Sequence, residues 1–128
     1  MVLMNTKERG DIAVGEAINY FLKNGYEVSL PIGDKRHYDF LIEKEGKINR
    51  IQVKFAGIQK TKNQCRVGLR ITGGNQSFHY AKKYPDDAFD FLFVYTERDE
   101  KYLLPWKEVT CRNEITIENK KYKMYNLK

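Results

Sequence analysis

The sequence predicts a layered domain of the α/β or α+β class, with a central mixed sheet flanked by helices. Three observations lead to this prediction: a helical apolar stripe in residues 6–24, an alternating hairpin pattern in 37–56, and a continuous apolar run in 90–96. A helix followed by several strands is typical of such layered folds. A chain of 128 residues is expected to form one domain over residues 1–128.

The first element is a helix predicted over residues 6–24. Its apolar side chains recur at helical spacing and form one stripe, made by Val14, Ala17, Ile18, Phe21 and Leu22. Either Asn5 or Thr6 can cap its start, and the pair Asn24-Gly25 is typical of a helix end. This helix is therefore expected to cover one face of the sheet.

A short strand is predicted over residues 26–31, followed by a hairpin with strands at about 37–44 and 48–56. Glu45-Gly46 is the expected two-residue turn, because glycine readily adopts the positive φ that such turns need. This turn pairs Lys44 with Lys47, Glu43 with Ile48 and Asp39 with Gln52. One face of the hairpin is then entirely apolar, with Phe40, Ile42, Ile51, Val53 and Phe55.

The opposite face of the hairpin brings together Asp39, Gln52 and Lys54. Carboxylate and amide oxygens are ligands that Mg²⁺ accepts, and Mg²⁺ usually takes only one or two carboxylates. Lys54 points to the same side as Gln52 and can hold or activate a metal-bound water. This arrangement indicates metal-assisted phosphodiester hydrolysis. The alternative is a hairpin with one solvated face and no chemical role.

Beyond the hairpin, residues 65–72 alternate as a strand and Gly73-Gly74-Asn75 breaks it. A short helix is predicted from about Asn75 to Lys83, capped by the asparagine and stopped by Pro85. Residues 90–96 predict a strand buried on both faces. Residues 101–109 predict a further strand with room for one helical turn. Residues 114–127 predict a terminal hairpin that turns at 118–120.

The net charge of +6 is distributed unevenly along the chain. Residues 46–85 contain no Asp or Glu but nine basic residues: Lys47, Arg50, Lys54, Lys60, Lys62, Arg66, Arg70, Lys82 and Lys83. Such a block, interleaved with polar and aromatic side chains, favours a polyanionic partner such as nucleic acid. The alternative is a basic surface that only keeps the protein in solution.

Composition excludes several other classes. No apolar run approaches the ~20 residues of a membrane-spanning helix, and the N-terminus shows no secretory signal pattern. Cys65 and Cys111 lie far apart without metal-ligand spacing, and His37 and His79 are scattered, so no zinc site is predicted. A reduced cytoplasmic location is therefore expected.

At this point the chain resembles the PD-(D/E)XK nuclease superfamily, which has an αβββαβ core and a restriction-endonuclease-like fold. The segments that carry the resemblance are GDIAVGEAINYFLKNGYEVSLPIGD, YDFLIEKEGKINRIQVKFA, TGGN and DFLFVYTERDEKYLLPW. Within the superfamily, the chain is similar to small stand-alone members that include intron-encoded homing endonucleases and archaeal Holliday-junction resolvases. The resemblance covers most of residues 5–106, with extra strands expected after it.

The resemblance implies a role for each residue of the polar face. Asp39 would match the first acid of the motif, a metal ligand, Gln52 would match the Glu/Asp position, and Lys54 the motif lysine. The backbone carbonyl of Val53 would complete a site for Mg²⁺, with Mn²⁺ as a substitute. Many members also place a glutamate on the first helix. This chain has Val14 at that position, so three nearby acids are alternatives: Asp11, Glu8 and Glu16.

The function that follows is a Mg²⁺-dependent DNA endonuclease of the homing-endonuclease or Holliday-junction-resolvase type. Double-stranded or branched DNA is expected to lie on the basic block and contact Lys60, Lys62, Arg66, Arg70, Asn75, Gln76, Lys82 and Lys83. Cutting both strands with one site per chain favours a homodimer or a higher even homo-oligomer. The alternative is a non-catalytic nucleic-acid-binding protein with a decayed nuclease fold, suggested by Val14 and Gln52.

Overall fold

The computed structural model describes residues 4–75 and 78–128, with side chains for 4–71 and 82–128. The elements follow in the order α1 (Thr6–Lys23), β1 (Glu27–Ser29), β2 (Phe40–Lys44), β3 (Lys47–Gln59), β4 (Gln64–Gly68), β5 (Arg70–Asn75), β6 (Phe78–Lys83), β7 (Phe91–Thr96), β8 (Lys101–Pro105), a 3-10 turn (Trp106–Glu108), β9 (Glu114–Thr116) and a second 3-10 segment (Lys120–Tyr125). This content confirms the α+β class.

Helix α1 begins with a capping box in which Asn5 and Glu8 bond to each other's backbone N–H groups. Asn5, rather than Thr6, is therefore the cap. The helix ends at Lys23, and Gly25 follows with φ +84°, a left-handed conformation that favours glycine. In the described ranges no helix combines the length and apolarity that a membrane crossing requires.

The hairpin of β2 and β3 has the register that the sequence predicts. Lys44 pairs with Lys47, Glu43 with Ile48, and Phe40 with Ile51. Glu45 and Gly46 form the turn with φ values of 55° and 79°, and two consecutive positive φ angles are those of a type I′ turn. The turn prediction is confirmed, and β3 extends to Gln59, three residues further than expected.

Strand β3 is the centre of a seven-stranded mixed sheet. One edge pairs antiparallel with β2 through residues 47–51 and then with β4 through residues 57–59. The other edge pairs in parallel with β7 through residues 51–56, and β8 lies beyond β7. Strands β1 and β9 pair with β2 and β4, respectively. The mixed sheet is confirmed, and three strands pair directly with β3.

Two apolar cores lie on opposite faces of this sheet. On the first face, α1 places Ala13, Ala17 and Phe21 against the predicted apolar side of the hairpin, including Ile51 and Val53. The second core lies under the remaining strands and the C-terminal segment, and its largest fully buried side chain is Trp106. Alternation along β3 therefore sends one set of side chains towards α1 and the other set away from it.

The helix predicted from Asn75 to Lys83 is wrong. Strands β5 and β6 form a separate two-stranded antiparallel sheet here, with Arg70 opposite Lys83. Gly73 and Gly74 lie inside β5 rather than breaking it. The physical reason is pairing: an extended partner at residues 70–75 offers hydrogen bonds to residues 78–83, which outweigh the weak local helix signals. Gln76 lies outside the described residues.

The predicted terminal hairpin is also wrong in its second half. Strand β9 ends at Thr116, and Lys120–Tyr125 is a 3-10 segment. The Asn119 side chain accepts a hydrogen bond from the Lys121 N–H and so starts that segment, while Tyr122 is buried against the second core. A capping asparagine followed by one anchoring aromatic explains why the chain turns rather than extends.

Candidate active site

Asp39 lies immediately before the first residue of β2. Its N–H donates to the Ile51 carbonyl at 2.7 Å, which continues the β2–β3 ladder by one residue. Its carboxylate Oδ2 accepts the Val53 N–H at 2.7 Å. A side chain therefore takes the place of the next ladder bond, and the carboxylate is fixed against the edge of β3.

This edge of β3 carries a gap. Pairing with β2 ends at Ile51 and pairing with β4 begins at Gly57. Within a strand the N–H and C=O of one residue point to the same edge. Because the Val53 N–H meets Asp39, the Val53 carbonyl also faces this gap. The gap leaves a backbone oxygen beside a carboxylate, which is the donor combination expected of a hard-cation site.

Gln52 is buried, with only 8% of the residue's surface exposed. Its Nε2 donates to the His37 carbonyl at 2.5 Å, and its Oε1 accepts the Val53 N–H at 3.0 Å. Since only the amide nitrogen can donate to a carbonyl, the His37 bond fixes which end of the amide faces Asp39. Two side-chain oxygens, from Asp39 and Gln52, thus converge on one N–H.

Lys54 follows Gln52 by two residues and is half-buried. Its Nζ lies 5.2 Å from the centre of the Tyr84 ring, within the range of a cation–π contact. The Tyr84 ring also meets the His37 ring edge-on, with centroids 6.0 Å apart. Tyr84 therefore positions the ammonium group through its ring, and His37 positions the Gln52 amide through its backbone carbonyl.

The electrostatics of Asp39 follow from its burial. Burial raises the pKa of the Asp39 carboxyl above its ordinary value of 3.8, although the Val53 N–H bond and the positive charge of Lys54 pull the pKa down. Its charge is therefore incompletely compensated by the protein alone. A divalent cation beside the carboxylate would supply the missing compensation.

The donor set fits a small hard cation. Asp39, Gln52 and the Val53 carbonyl are three oxygen-donor groups with a single formal negative charge, and Mg²⁺ accepts one carboxylate when water and substrate phosphate complete its shell. In the described part of the chain, no three His, Cys, Asp or Glu side chains form a metal-binding group. Any metal here would thus depend on neutral oxygens, including that of Gln52.

The helix-borne acids lie apart from this arrangement. Glu8 is used in the capping box, and Glu16 pairs with Lys101 at 3.7 Å. Asp11 is exposed on α1, and Val14 packs against the first core. Because α1 covers the face of β3 opposite to Gln52 and Lys54, an acid from α1 would have to reach around the sheet edge.

The predicted nucleic-acid contacts divide into two groups. Lys60, Lys62, Lys82 and Lys83 are exposed. Arg66 instead pairs with Glu114 and bonds to Gln59. Arg70 bonds to Asn113 at 3.1 Å. The structure does not describe the side chains of Asn75 and Gln76.

The block without acidic residues in the sequence is therefore partly neutralised in the folded protein. Arg50 bonds to Asp90, and Arg66 to Glu114, so acids from distant segments reach into the block.

Sequence reasoning also missed His37 and Tyr84. His37 precedes Asp39 by two residues, so period-two alternation could have placed it beside the site. Tyr84 follows β6 and is distant in sequence from the hairpin, so no local pattern places it beside Lys54.

Comparison with known proteins identifies the family and the fold of this chain. A family model described as PD-(D/E)XK endonuclease matches residues 4–126. Protein 5.3 of Escherichia phage T7 is 29% identical over 97 residues, which are 76% of this chain and 77% of that protein. The structure of a bacterial homing endonuclease, I-Ssp6803I, is similar with a TM-score of 0.82 and 30% identity, covering 96% of this chain and 89% of that one. With a family match that spans nearly its whole length, the chain belongs to the PD-(D/E)XK endonuclease family.

Proposed function

We propose that this protein is a Mg²⁺-dependent DNA endonuclease and that residues 1–128 act as one nuclease domain. The observation that carries the proposal is the convergence of the Asp39 and Gln52 oxygens on the Val53 N–H, beside the gap in the sheet. Membership of an endonuclease family and the likeness to a homing endonuclease support the same reaction class. Mn²⁺ is expected to substitute for Mg²⁺.

Each residue of the site has a distinct task in this proposal. Asp39, Gln52 and the Val53 carbonyl would hold the cation, which when bound supplies Lewis-acid polarisation of the scissile phosphate. Gln52 keeps its oxygen aimed at the site because His37 holds the other end of the amide. Lys54 donates hydrogen bonds to the attacking water and to phosphate oxygens whose charge increases in the transition state.

The expected substrate is double-stranded or branched DNA. The homing-endonuclease likeness favours sequence-specific cutting of a duplex, while resolution of a four-way junction uses the same core chemistry. A chain with one such site would cut two strands as a homodimer or a higher even homo-oligomer. Exposed lysines at positions 60, 62, 82 and 83 are candidates for contacts to phosphates.

One second function has a specific observation in its favour. Val14 stands where many relatives of this superfamily carry a glutamate, and Gln52 replaces a carboxylate with a neutral amide. Both changes weaken cation binding, so a non-catalytic nucleic-acid-binding protein with a decayed nuclease fold is the alternative. That protein would bind DNA in a salt-sensitive manner and show no response to Mg²⁺ or Mn²⁺.

The test is cleavage of plasmid, linear duplex and four-way-junction DNA with Mg²⁺, Mn²⁺ or EDTA. Asp39→Asn removes the charge of the proposed ligand, and Asp87→Asn is the matched control, because Asp87 is an exposed aspartate outside the site. The proposal expects metal-dependent products from the wild type and the control but none from Asp39→Asn. Identical products from Asp39→Asn and wild type, or none from any substrate, would favour the alternative.

A further inference from the structure

A basic depression is lined in part by Tyr84, the residue whose ring also contacts the proposed catalytic lysine. Its volume is about 330 Å³, and its charged lining residues are Lys83, Asp86, Lys107 and Arg112. They come from three separate segments: the end of β6, the loop after it, and the region following β8. Three cations therefore surround a single acid in one concave surface, and this is not visible in the sequence.

Arg112 is held rigidly in this depression. Its Nε donates to the Val109 carbonyl at 2.8 Å, and its Nη2 donates to the Trp106 carbonyl at 3.1 Å. The guanidinium lies over the Trp106 ring at 4.3 Å, and only 17% of the side chain is exposed. A guanidinium fixed on three sides loses little conformational entropy when an anion meets its remaining edge.

That remaining edge is occupied by Asp86. The Arg112 Nη1 donates to Asp86 Oδ1, although the Asp86 side chain is 96% exposed. An exposed carboxylate in such a pair can leave at small energetic cost. Lys83 and Lys107 are exposed beside it, and no ion pair engages either lysine in the parts of the chain that the structure describes. The depression thus keeps a positive surplus even with Asp86 in place.

The depression is one side chain away from the proposed catalytic lysine. Tyr84 lines it, and the same Tyr84 ring lies 5.2 Å from the Lys54 Nζ. A DNA strand whose scissile phosphate lies at Lys54 would continue past Tyr84 with its neighbouring phosphates. Arginine and lysine side chains bind phosphodiesters through charge-assisted hydrogen bonds.

We infer that Lys83, Lys107 and Arg112 bind a phosphodiester that flanks the cleaved bond, and that Asp86 occupies the same guanidinium edge until DNA displaces it. This inference rests on the proposed function for its substrate, but it concerns residues outside the cleavage chemistry. It assigns Asp86 a negative effect on DNA affinity, which a purely structural ion pair would not have.

The experiment measures the affinity for fluorescent duplex DNA in EDTA, where no cleavage occurs, at several salt concentrations. Lys107→Ala is expected to weaken binding about three- to tenfold and to reduce the salt slope by about one. Lys123→Ala is the matched control, an exposed lysine on the C-terminal 3-10 segment. Asp86→Asn is expected to tighten binding about threefold, whereas its neighbour Asp87→Asn should not.

Arg112→Lys keeps the charge but loses the planar fork. It is compared by thermal unfolding as well as binding, because Arg112 also supports Trp106. The variants Lys107→Ala and Asp86→Asn are at exposed positions and keep the test valid if Arg112→Lys does not fold.

Unchanged affinity in both Lys107→Ala and Asp86→Asn, or weaker binding by Asp86→Asn, would overturn the inference. Competition by inorganic phosphate separates two sources of the same anion. If Lys107→Ala weakens the binding of inorganic phosphate but leaves the affinity for DNA unchanged, the depression binds free phosphate and the DNA assignment is wrong. If the variants alter DNA binding as expected while the wild type cleaves nothing, the phosphate site stands and the nuclease proposal fails.

Discussion

The two faces of β3 differ in what they contribute. Towards α1, Ile51 and Val53 are buried in an aromatic and aliphatic core that includes Phe21 and Phe93. Away from α1, Gln52 and Lys54 meet His37 and Tyr84 through a hydrogen bond and a cation–π contact. Neighbouring residues on one strand therefore serve different ends: the first face maintains the fold, and the second holds polar groups in a fixed geometry.

The largest expected effect is on the first face. Phe21 is fully buried and contacts Phe40 and Phe93 with ring centroids 6.0 and 5.9 Å away. Phe21→Ala should lower the free energy of unfolding by about 3–5 kcal/mol, because it removes an aromatic ring and leaves a cavity. Chemical denaturation measures this. The neighbouring Leu22→Ala is the control, since Leu22 is 56% exposed and should cost well under half as much.

A substitution on the second face should separate activity from stability. Lys54→Met keeps a long apolar side chain beside Tyr84 but removes the ammonium group. Cleavage is expected to fall by about 10²–10³-fold, the usual loss for one transition-state donor, while the unfolding midpoint changes little. Steady-state cleavage and thermal unfolding of the same preparation check this. A loss of stability comparable to that of Phe21→Ala would contradict the separation of the two faces.

Gln52→Glu would test how the amide is held. The change removes the donor to the His37 carbonyl and buries a carboxylate beside Asp39, so the metal-free protein should lose about 1–3 kcal/mol of stability. A bound cation would compensate both acids, and Mg²⁺ or Mn²⁺ should therefore restore much of that loss. Thermal unfolding with and without metal gives the answer. Equal destabilisation in both conditions would argue against a cation at this position.

The smallest expected effect is at the Arg50–Asp90 pair, next to the first residues that β3 and β7 pair. This pair belongs to neither the apolar core nor the polar site. Burial alone would raise the pKa of Asp90, but the backbone and side-chain hydrogen bonds from Arg50, and its charge, lower the pKa below the ordinary 3.8. A depressed folded-state pKa stabilises the protein above the unfolded-state value, and this contribution is lost as pH falls through the folded-state pKa.

Asp90→Asn should therefore destabilise the protein at neutral pH by about 1 kcal/mol or less, because the pair is more than one third exposed. The difference from wild type should shrink below pH 4. Denaturation at pH 7 and pH 3 compares the two proteins. A difference that grows on acidification would have the wrong sign for this carboxylate.

Local signals explain what the sequence could predict. The Glu45-Gly46 turn and strict alternation fixed the hairpin, and with it the closeness of Asp39 and Gln52, because both depend on residues within one hairpin. The gap in the sheet could not be predicted, since it depends on where β4 begins to pair with β3. Tyr84 and the Arg50–Asp90 pair likewise join segments that are distant in sequence.

The errors have the same origin. Residues 70–75 and 78–83 carry weak individual signals, and their antiparallel pairing decides their conformation. The charge pattern was misleading for a related reason: Glu114 lies far along the chain from Arg66, yet strand pairing of β4 with β9 brings them together. Sequence distance thus limited both the strand assignment and the estimate of free positive charge.

The most direct test of the central claim is anomalous diffraction from crystals of the protein soaked in Mn²⁺. We expect one strong peak about 2.0–2.3 Å from an oxygen of Asp39, the Gln52 Oε1 and the Val53 carbonyl oxygen. Manganese bound at other carboxylates, with no density in the gap between β2 and β4, would contradict it.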